Sequence, residues 1–476
     1  MMQATIRDIA GWCNSLKIEQ ENTCLLTGVS IDTRRISSGQ LFVPLAGERS
    51  DGHDHIEAAI AAGAVASLWE RSKPLPSGVE IPLIIVEDAV AALQALAAGY
   101  LERLQAKVVG ITGSNGKTTT KDLVAAVLAT KFVVHKTEGN YNNHLGLPLT
   151  ILNAPVDTDV LVLEMGMSER GEISFLSKLA KPDVTVITNV GESHLLQLGS
   201  RRNIARAKLE IVEGMKAGGT LVYYGEEPLL REELAVIMQG KSESIFPDGL
   251  QLLTYGETES CDLIAQEIKL TDASTSFTVN ESAQSEQQTT YELPIPGRHN
   301  AVNALAAIAI GRILGLSDVE IATGLQAVKL TSMRIERSRA NNGAVILNDA
   351  YNASPTSVKA AIELVAELKG YHRKWIVLGD MLELGPDEEQ FHRDIGAALQ
   401  PSKADRVLLY GSLSIHTANE ASGKYAPECV QHFTEKQELT TLLLQELEPE
   451  DLVLVKASRG MKMEEVVAAL QSGLKG

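Results

Sequence analysis

The chain has 476 residues, and at ~150 residues per domain that length predicts roughly three domains. Apolar content of 44% with 22% charged residues excludes a disordered chain, and a net charge of -18 excludes a general nucleic-acid footprint, which is basic. There is no apolar run of membrane-spanning length and no basic-then-apolar leader in MMQATIRDIAGWCNS, so no membrane insertion and a cytoplasmic location are expected.

The predicted architecture is α/β in three parts. Residues 1–88 read as a small N-terminal α/β domain: LFVPLA (41–46) and PLIIVED (82–88) have the look of strands, and HIEAAIAAGAVASLWE (55–70) has helical spacing, a break at Gly63 and a second apolar run. Residues 89–326 read as a central parallel-sheet domain. Its helix AALQALAAGYLERLQ is followed by the strand KVVGIT and the helix TTTKDLVAAVLAT, then by FVVHK, DVLVLEMG and DVTVITNVG. Uninterrupted apolar strands of this kind are covered by helices on both sheet faces. The stretch from about 250 to 292 alternates and is polar, which predicts an antiparallel insertion or edge hairpin. Residues 327–476 carry KWIVLGDM, DRVLLYG and DLVLVKAS between helical segments, a Rossmann-like doubly wound sheet. Ligands of such sheets sit beyond the strand C-termini, where Glu164, Asp380 and Lys456 fall. Cys13, Cys24, Cys261 and Cys429 are scattered without a CxxC pair, which indicates neither a disulfide framework nor a zinc site.

The chemistry concentrates after KVVGIT. Gly113, Ser114, Asn115 and Gly116 form a loop, and Lys117, Thr118 and Thr119 open the next helix. Backbone N–H groups, a positive helix end and an ammonium together suit a nucleoside triphosphate, with the Thr118 hydroxyl reaching Mg²⁺. The generic GxxxxGK[ST] pattern is not met, because position 111 is isoleucine. Glu164 ends the strand DVLVLE, where an acidic Mg²⁺ ligand belongs, and His194 in GESHL is either structural or a metal partner. Lys208 falls inside the apolar stripe of Ile204, Ile211, Val212 and Met215. Burying its charge is costly, so it either snorkels to solvent or has its charge put to use or changed, as in a carbamate formed with CO₂, an anion able to bind metal.

At this point the chain resembles the Mur ligase family, ATP-dependent amide ligases of peptidoglycan synthesis. The resemblance rests on TGSNGKTTTK (112–121), EGNYNNHLGLPLT (138–150), EMGMSERGEI (164–173), PDVTVITNVGESHL (182–195), AKLEI (207–211), GRHNAVNALAA (297–307) and NDAYNASPTS (348–357). The TGxNGKT form accounts for the departure from the generic loop. EMGM before GEI, NDAYNASP, VLGDMLELG (377–385) and KASRGMKME (456–464), with no DNPR motif, resemble those members that join D-alanyl-D-alanine to UDP-N-acetylmuramoyl-tripeptide.

The resemblance implies ATP and Mg²⁺ as cofactors and these two substrates as partners, with a monomer expected. It implies that Lys117 and Thr118 hold phosphates and Mg²⁺, that Glu164 and His194 are Mg²⁺ ligands, and that Lys208 is carbamylated. Asn300 and Asn303 near His299 are then ATP-binding, Arg334 reaches the γ-phosphate from the third domain, and Asp349 and Tyr351 reach ribose and base. Thr137, Asn140, Asn142 and Asn143 resemble the segment that meets the muramoyl peptide. Ser30, Asp32, Thr33 and Arg34 resemble the turn that takes the uridine diphosphate, and a surface turn with a solvated Arg pair is the bland alternative. Lys456, Ser458 and Arg459 are candidates for the dipeptide carboxylate, or simply a basic helix start. Because Arg334 and Asp349 belong to one sheet and Lys117 to another, the third domain must close for them to meet. A GTPase would want an NKxD motif, which is absent; another ligase of the superfamily, such as folylpolyglutamate synthase, is the alternative.

Overall fold

The computed structural model describes residues 2–47, 50–239, 246–281 and 288–473. Their main strands form three sheets in succession along the chain. The first has five strands in the spatial order 17–19, 83–86, 64–70, 40–42, 29–30, parallel except where Lys17–Glu19 runs against Leu83–Val86. Gly63, at φ +111°, ends the helix Ile56–Ala61. The apolar run behind it is the strand Ala64–Glu70, the continuous core strand of this sheet.

The central sheet has nine strands. Lys107–Thr112 is the third strand from one edge, flanked by Val160–Glu164 and Val184–Ile187, all parallel. Gln251–Gly256 is still parallel to its neighbour Thr220–Tyr224. The expected antiparallel portion begins only with Leu263–Leu270, which pairs with Thr275–Glu281, itself paired with Gln288–Leu293; residues 282–287 of the predicted hairpin lie outside the described residues. The alternating, polar sequence there fits a sheet edge with one wet face.

The third sheet has six strands in the order 336–339, 345–349, 452–456, 374–379, 406–410, 430–433. The edge strand Glu336–Arg339 is antiparallel and the rest are parallel. Strands 336–339, 345–349 and 430–433 add to those anticipated. The first of them is mostly exposed and charged, so it carries no apolar signal.

The cores explain how the parts are joined. One continuous apolar cluster runs from Leu41, Leu68 and Ile84 of the first sheet, through Leu93, Leu96 and Tyr100 of the helix Ala89–Leu104, to Leu161, Leu163 and Leu221 of the central sheet. The other central-sheet face buries the helices Lys117–Leu128, Arg298–Ile313 and Asp318–Gln326. The third sheet has separate clusters on its two faces. Among the described residues no helix is long and apolar enough to cross a membrane.

Candidate active site

The phosphate loop is held by its neighbours. Ser114 N donates to Asn189 O (3.1 Å) and Asn115 N to Asn189 Oδ1 (2.9 Å), while Thr188 Oγ1 and Asn189 Nδ2 donate to Asn115 O. This tight brace requires glycine at 113, where φ is +150° and a Cβ would lie 1.8 Å from Thr188 Oγ1. Gly116, at φ +80°, would place a Cβ 2.8 Å from Asn303 Oδ1. Lys117 opens the helix, and its Nζ donates to Gly113 O at 2.6 Å. Burial lowers its pKa, Glu164 opposes that shift, and Arg334 adds to it.

One cleft gathers Ser114 to Thr119, Glu164, His299, Asn300, Asn303, Arg334, Asp349 and Tyr351. Arg334 comes from the segment before the third sheet, yet its Nη2 stands 3.4 Å from Thr118 Oγ1, and its guanidinium lies over the Tyr351 ring at 4.1 Å. Ser354 Oγ donates to Asn115 Oδ1 (2.8 Å), and Thr356 Oγ1 to Glu192 Oε2 (2.8 Å). The convergence expected of a closed third domain is therefore the arrangement seen. His299 has its pKa lowered to about 4, chiefly by burial, so at neutral pH it is an uncharged imidazole.

Glu164 is almost fully buried. Its N–H donates to Thr137 Oγ1 (3.0 Å), and its Oε1 accepts from Asn142 Nδ2 (2.8 Å). Thr137 is thus committed to positioning Glu164 rather than lining a substrate chamber. Glu164 Oε2, His194 Nδ1 and Arg334 Nε are buried polar atoms with no hydrogen-bond partner. Such atoms are scarce in folded proteins, and three of them around one lysine mark a place built for charged ligands. His194 sits at φ +64° before the helix Leu195–Leu198. Burial, with Lys117 and Lys208 nearby, lowers its pKa to about 4, so the imidazole is neutral and able to ligate metal.

Lys208 faces inward with 1% exposure, which eliminates snorkelling. Its pKa is driven well below the lysine range by burial and then by Lys117. The helix Arg201–Leu209 gives way to a 3₁₀ turn at Glu210–Val212, so Met215 lies past the helical stripe drawn from the sequence.

A second chamber shares Lys117 and Asn142 with the nucleotide cleft and is walled by Asn140, Asn143, Arg170, Phe175 and His194. A third cavity, between the first and central sheets, is lined by Ser30, Asp32, Arg35, Lys136 and Tyr141. Thr33 and Arg34 do not line it. Arg34 turns outward and forms a bidentate pair with Asp32 (2.9 and 2.8 Å), whereas Arg35, unremarked in the sequence, bonds the Tyr141 hydroxyl. One turn of 3₁₀ helix, Thr33–Arg35, decides which arginine faces inward.

The basic cluster after the last strand also differs from expectation. Lys456 is buried in the nucleotide cleft, its Nζ bonded to Asp349 Oδ2 (2.5 Å) and Asn352 O (2.9 Å). Ser458 Oγ accepts from Leu382 N (2.9 Å) and is buried, which makes it a structural tie. Arg459 pairs with Glu464 and lies 6.0 Å from the Tyr351 ring. A carboxylate-binding trio is not what these three form.

A braced phosphate loop, an acidic strand end and an arginine from a second sheet define an enzyme-like nucleotide site assembled across a domain seam. Three family models match in succession: the Mur ligase family catalytic domain over residues 25–101, the Mur ligase middle domain over 111–311 and the Mur ligase glutamate ligase domain over 333–459. The chain is 47% identical over 471 residues to the UDP-N-acetylmuramoyl-tripeptide--D-alanyl-D-alanine ligase of Bacillus subtilis (strain 168), covering 99% of both. Its structure matches MurF from Acinetobacter baumannii with TM-score 0.85 at 28% identity, covering 99% of each chain. It matches MurF ligase from Thermotoga maritima in complex with ADP with TM-score 0.78 at 31% identity, covering 94% and 97%. The chain belongs to the Mur ligase family.

Proposed function

We propose that the protein is an ATP-dependent amide ligase that adds D-alanyl-D-alanine to UDP-N-acetylmuramoyl-tripeptide, giving the pentapeptide, ADP and phosphate for peptidoglycan precursor synthesis. The observation that carries this reading is the convergence of Lys117, Glu164 and Arg334 from two sheets on one cleft that opens into a second chamber. The relatives' names supply the substrates, and a cytoplasmic monomer is the expected working form.

A carboxylate and an ammonium do not condense unaided, because oxide is a poor leaving group. In the proposed reaction a carboxylate oxygen of the tripeptide attacks the γ-phosphorus, the bond to the β,γ-bridging oxygen breaks, and ADP leaves. Lys117 and Arg334 neutralise the charge on the transferring group, and the loop amides hold the phosphates. The dipeptide amine, as free base, then attacks the acyl carbon. The carbon–oxygen bond to phosphate breaks, the nitrogen loses a proton, and the amide remains. Water would hydrolyse the acyl phosphate, so the reaction requires the seam between the sheets to stay closed. Asn300, Asn303, Asp349 and Tyr351 are assigned to the nucleoside, and Ser30, Asp32 and Arg35 to the uridine diphosphate.

Thr118, Glu164 and His194 fit a Mg²⁺ site, given the unpartnered Glu164 Oε2 and His194 Nδ1. Mg²⁺ bound there supplies charge neutralisation on the phosphate oxygens. Lys208 as an ammonium does not fit beside a cation, but its lowered pKa leaves the free amine that attacks CO₂. The new N–C bond forms with loss of one proton, and the product is an anionic carbamate.

The test is ADP release with UDP-N-acetylmuramoyl-tripeptide, with and without D-alanyl-D-alanine, for the wild type and Lys117→Ala. Release that requires both substrates and is lost in the variant is expected. Equal release without either substrate, or turnover of a folate with glutamate instead, would overturn the assignment.

A further inference from the structure

The segment that delivers Arg334 has an unusual backbone. Met333 and Ile335, its two neighbours, have φ of +61° and +52°, the left-handed region that side chains avoid and that is a genuine outlier for β-branched isoleucine. Such conformations persist only where the surroundings over-determine them. Downstream the segment is fixed because Ile335 is buried in the third domain's core, and Glu336 Oε2 accepts from Met333 N (3.0 Å).

Upstream it is fixed by a residue of the other domain. Thr331 donates both its N–H (2.7 Å) and its hydroxyl (2.8 Å) to Asp122 Oδ2. Asp122 lies on the phosphate-loop helix Lys117–Leu128, and its side chain is fully buried. Its other oxygen accepts from Lys136 Nζ at 2.5 Å and lies 3.5 Å from Lys121 Nζ, which is itself buried. Asp122 does not line the nucleotide cleft. It lies five residues beyond Lys117 on the same helix, and so gives Lys117 and Arg334 a common fixed point.

We propose that Asp122 is a positioning residue for the ligase reaction: by anchoring Thr331 to the phosphate-loop helix it holds the strained Met333–Ile335 turn that sets Arg334 beside Thr118 and Tyr351. The inference rests on the reading of Arg334 as a γ-phosphate ligand. Released from Asp122, the turn relaxes toward ordinary backbone angles and the guanidinium leaves its place, while the loop and Lys117 keep theirs.

The experiment is steady-state ADP release for Asp122→Asn, Thr331→Val, Thr331→Ser, Arg334→Ala, and each of Asp122→Asn and Thr331→Val combined with Arg334→Ala. Displacement of a positioned group by about 1 Å costs up to about a hundredfold. We expect Asp122→Asn to lower kcat about tenfold, Thr331→Val to lower it about threefold, and Thr331→Ser to restore it. The KM for the UDP-linked substrate should stay unchanged in the Thr331 variants, which leave Lys136 of the uridine diphosphate cavity paired with Asp122. Each double variant should be no slower than Arg334→Ala alone, since groups acting through one another are not additive. Asp122→Asn also strips the counter-charge from two lysines; if it fails to fold, the Thr331 series, which leaves those lysines paired, decides alone. Additive losses, or wild-type kcat in Thr331→Val, overturn the proposal while leaving the role of Arg334 intact. Wild-type activity in Arg334→Ala overturns that role, and this proposal with it.

Discussion

His194 and Glu383 face one another across the seam between the central and third sheets, Nδ1 to Oε2 3.5 Å apart, and both hold φ of +64°. Two non-glycine residues in left-handed backbone meeting from separate sheets is a costly arrangement, of order 1–3 kcal/mol each. The loop that presents Glu383 is pinned accordingly. His392 Nε2 accepts from Met381 N (3.1 Å), Ser458 Oγ accepts from Leu382 N, and a Cβ on Gly385 would come within 3.3 Å of Leu196 Cα.

A carboxylate standing beside a ligating imidazole helps to hold the ring's orientation, and the loss of such a neighbour commonly costs about 10- to 100-fold. Glu383→Ala should therefore lower kcat by about tenfold without changing the melting temperature, because the Glu383 side chain is 61% exposed. Parallel kinetics and thermal melts check this, and an unchanged kcat would make the contact incidental.

Lys208 is buried and has a strongly lowered pKa. Protein kept free of CO₂ should lose activity and regain it on addition of bicarbonate, and ¹³CO₂ should give a carbamate carbon signal that Lys208→Ala lacks. Full activity of the CO₂-free enzyme with no such signal would show that the amine is used unmodified.

The two neighbouring arginines separate cleanly. Arg35→Ala should raise the KM for the UDP-linked substrate by about tenfold or more, the scale of losing a charge-assisted hydrogen bond. Arg34→Ala, which removes an outward pair with Asp32, should change it less than twofold, in keeping with the small worth of exposed pairs. Equal effects would contradict the orientation described.

Stability should fall as pH drops from 7 toward 4. Burial lowers the pKa of His299 to about 4 and also lowers those of His135 and His392, against an ordinary value near 6.5. The unfolded chain takes up these protons below about 6.5 and the folded chain does not, so stability is complete above that pH and is lost below it. Melting curves at pH 7, 6 and 5 measure this, and His299→Gln should flatten the dependence. A melting temperature that rises on acidification would contradict it.

What could be read from the chain follows the range of the interactions. The phosphate loop was legible because strand, glycines and Lys117 are contiguous, and Lys208 because a helical period shows which way it faces. Lys456 was misjudged because its partner Asp349 is 107 residues away. Arg35 was missed because a 3₁₀ turn carries no periodic signal long enough to choose between neighbours. Asp122 looks like any acid in the first part of a helix until Thr331 is brought to it from 209 residues away.

The unequal joining of the three sheets sets how the molecule breathes. Swinging the first sheet away would expose the oily layer it shares with the second through Leu93, Leu96 and Leu161. Parting the third requires chiefly that bonds such as Ser354 to Asn115 and Thr356 to Glu192 be traded for bonds to water, which is a nearly even exchange. Spent nucleotide therefore has a ready exit on one side only, and the shelter given to a hydrolysable intermediate lasts as long as a handful of polar contacts stay shut.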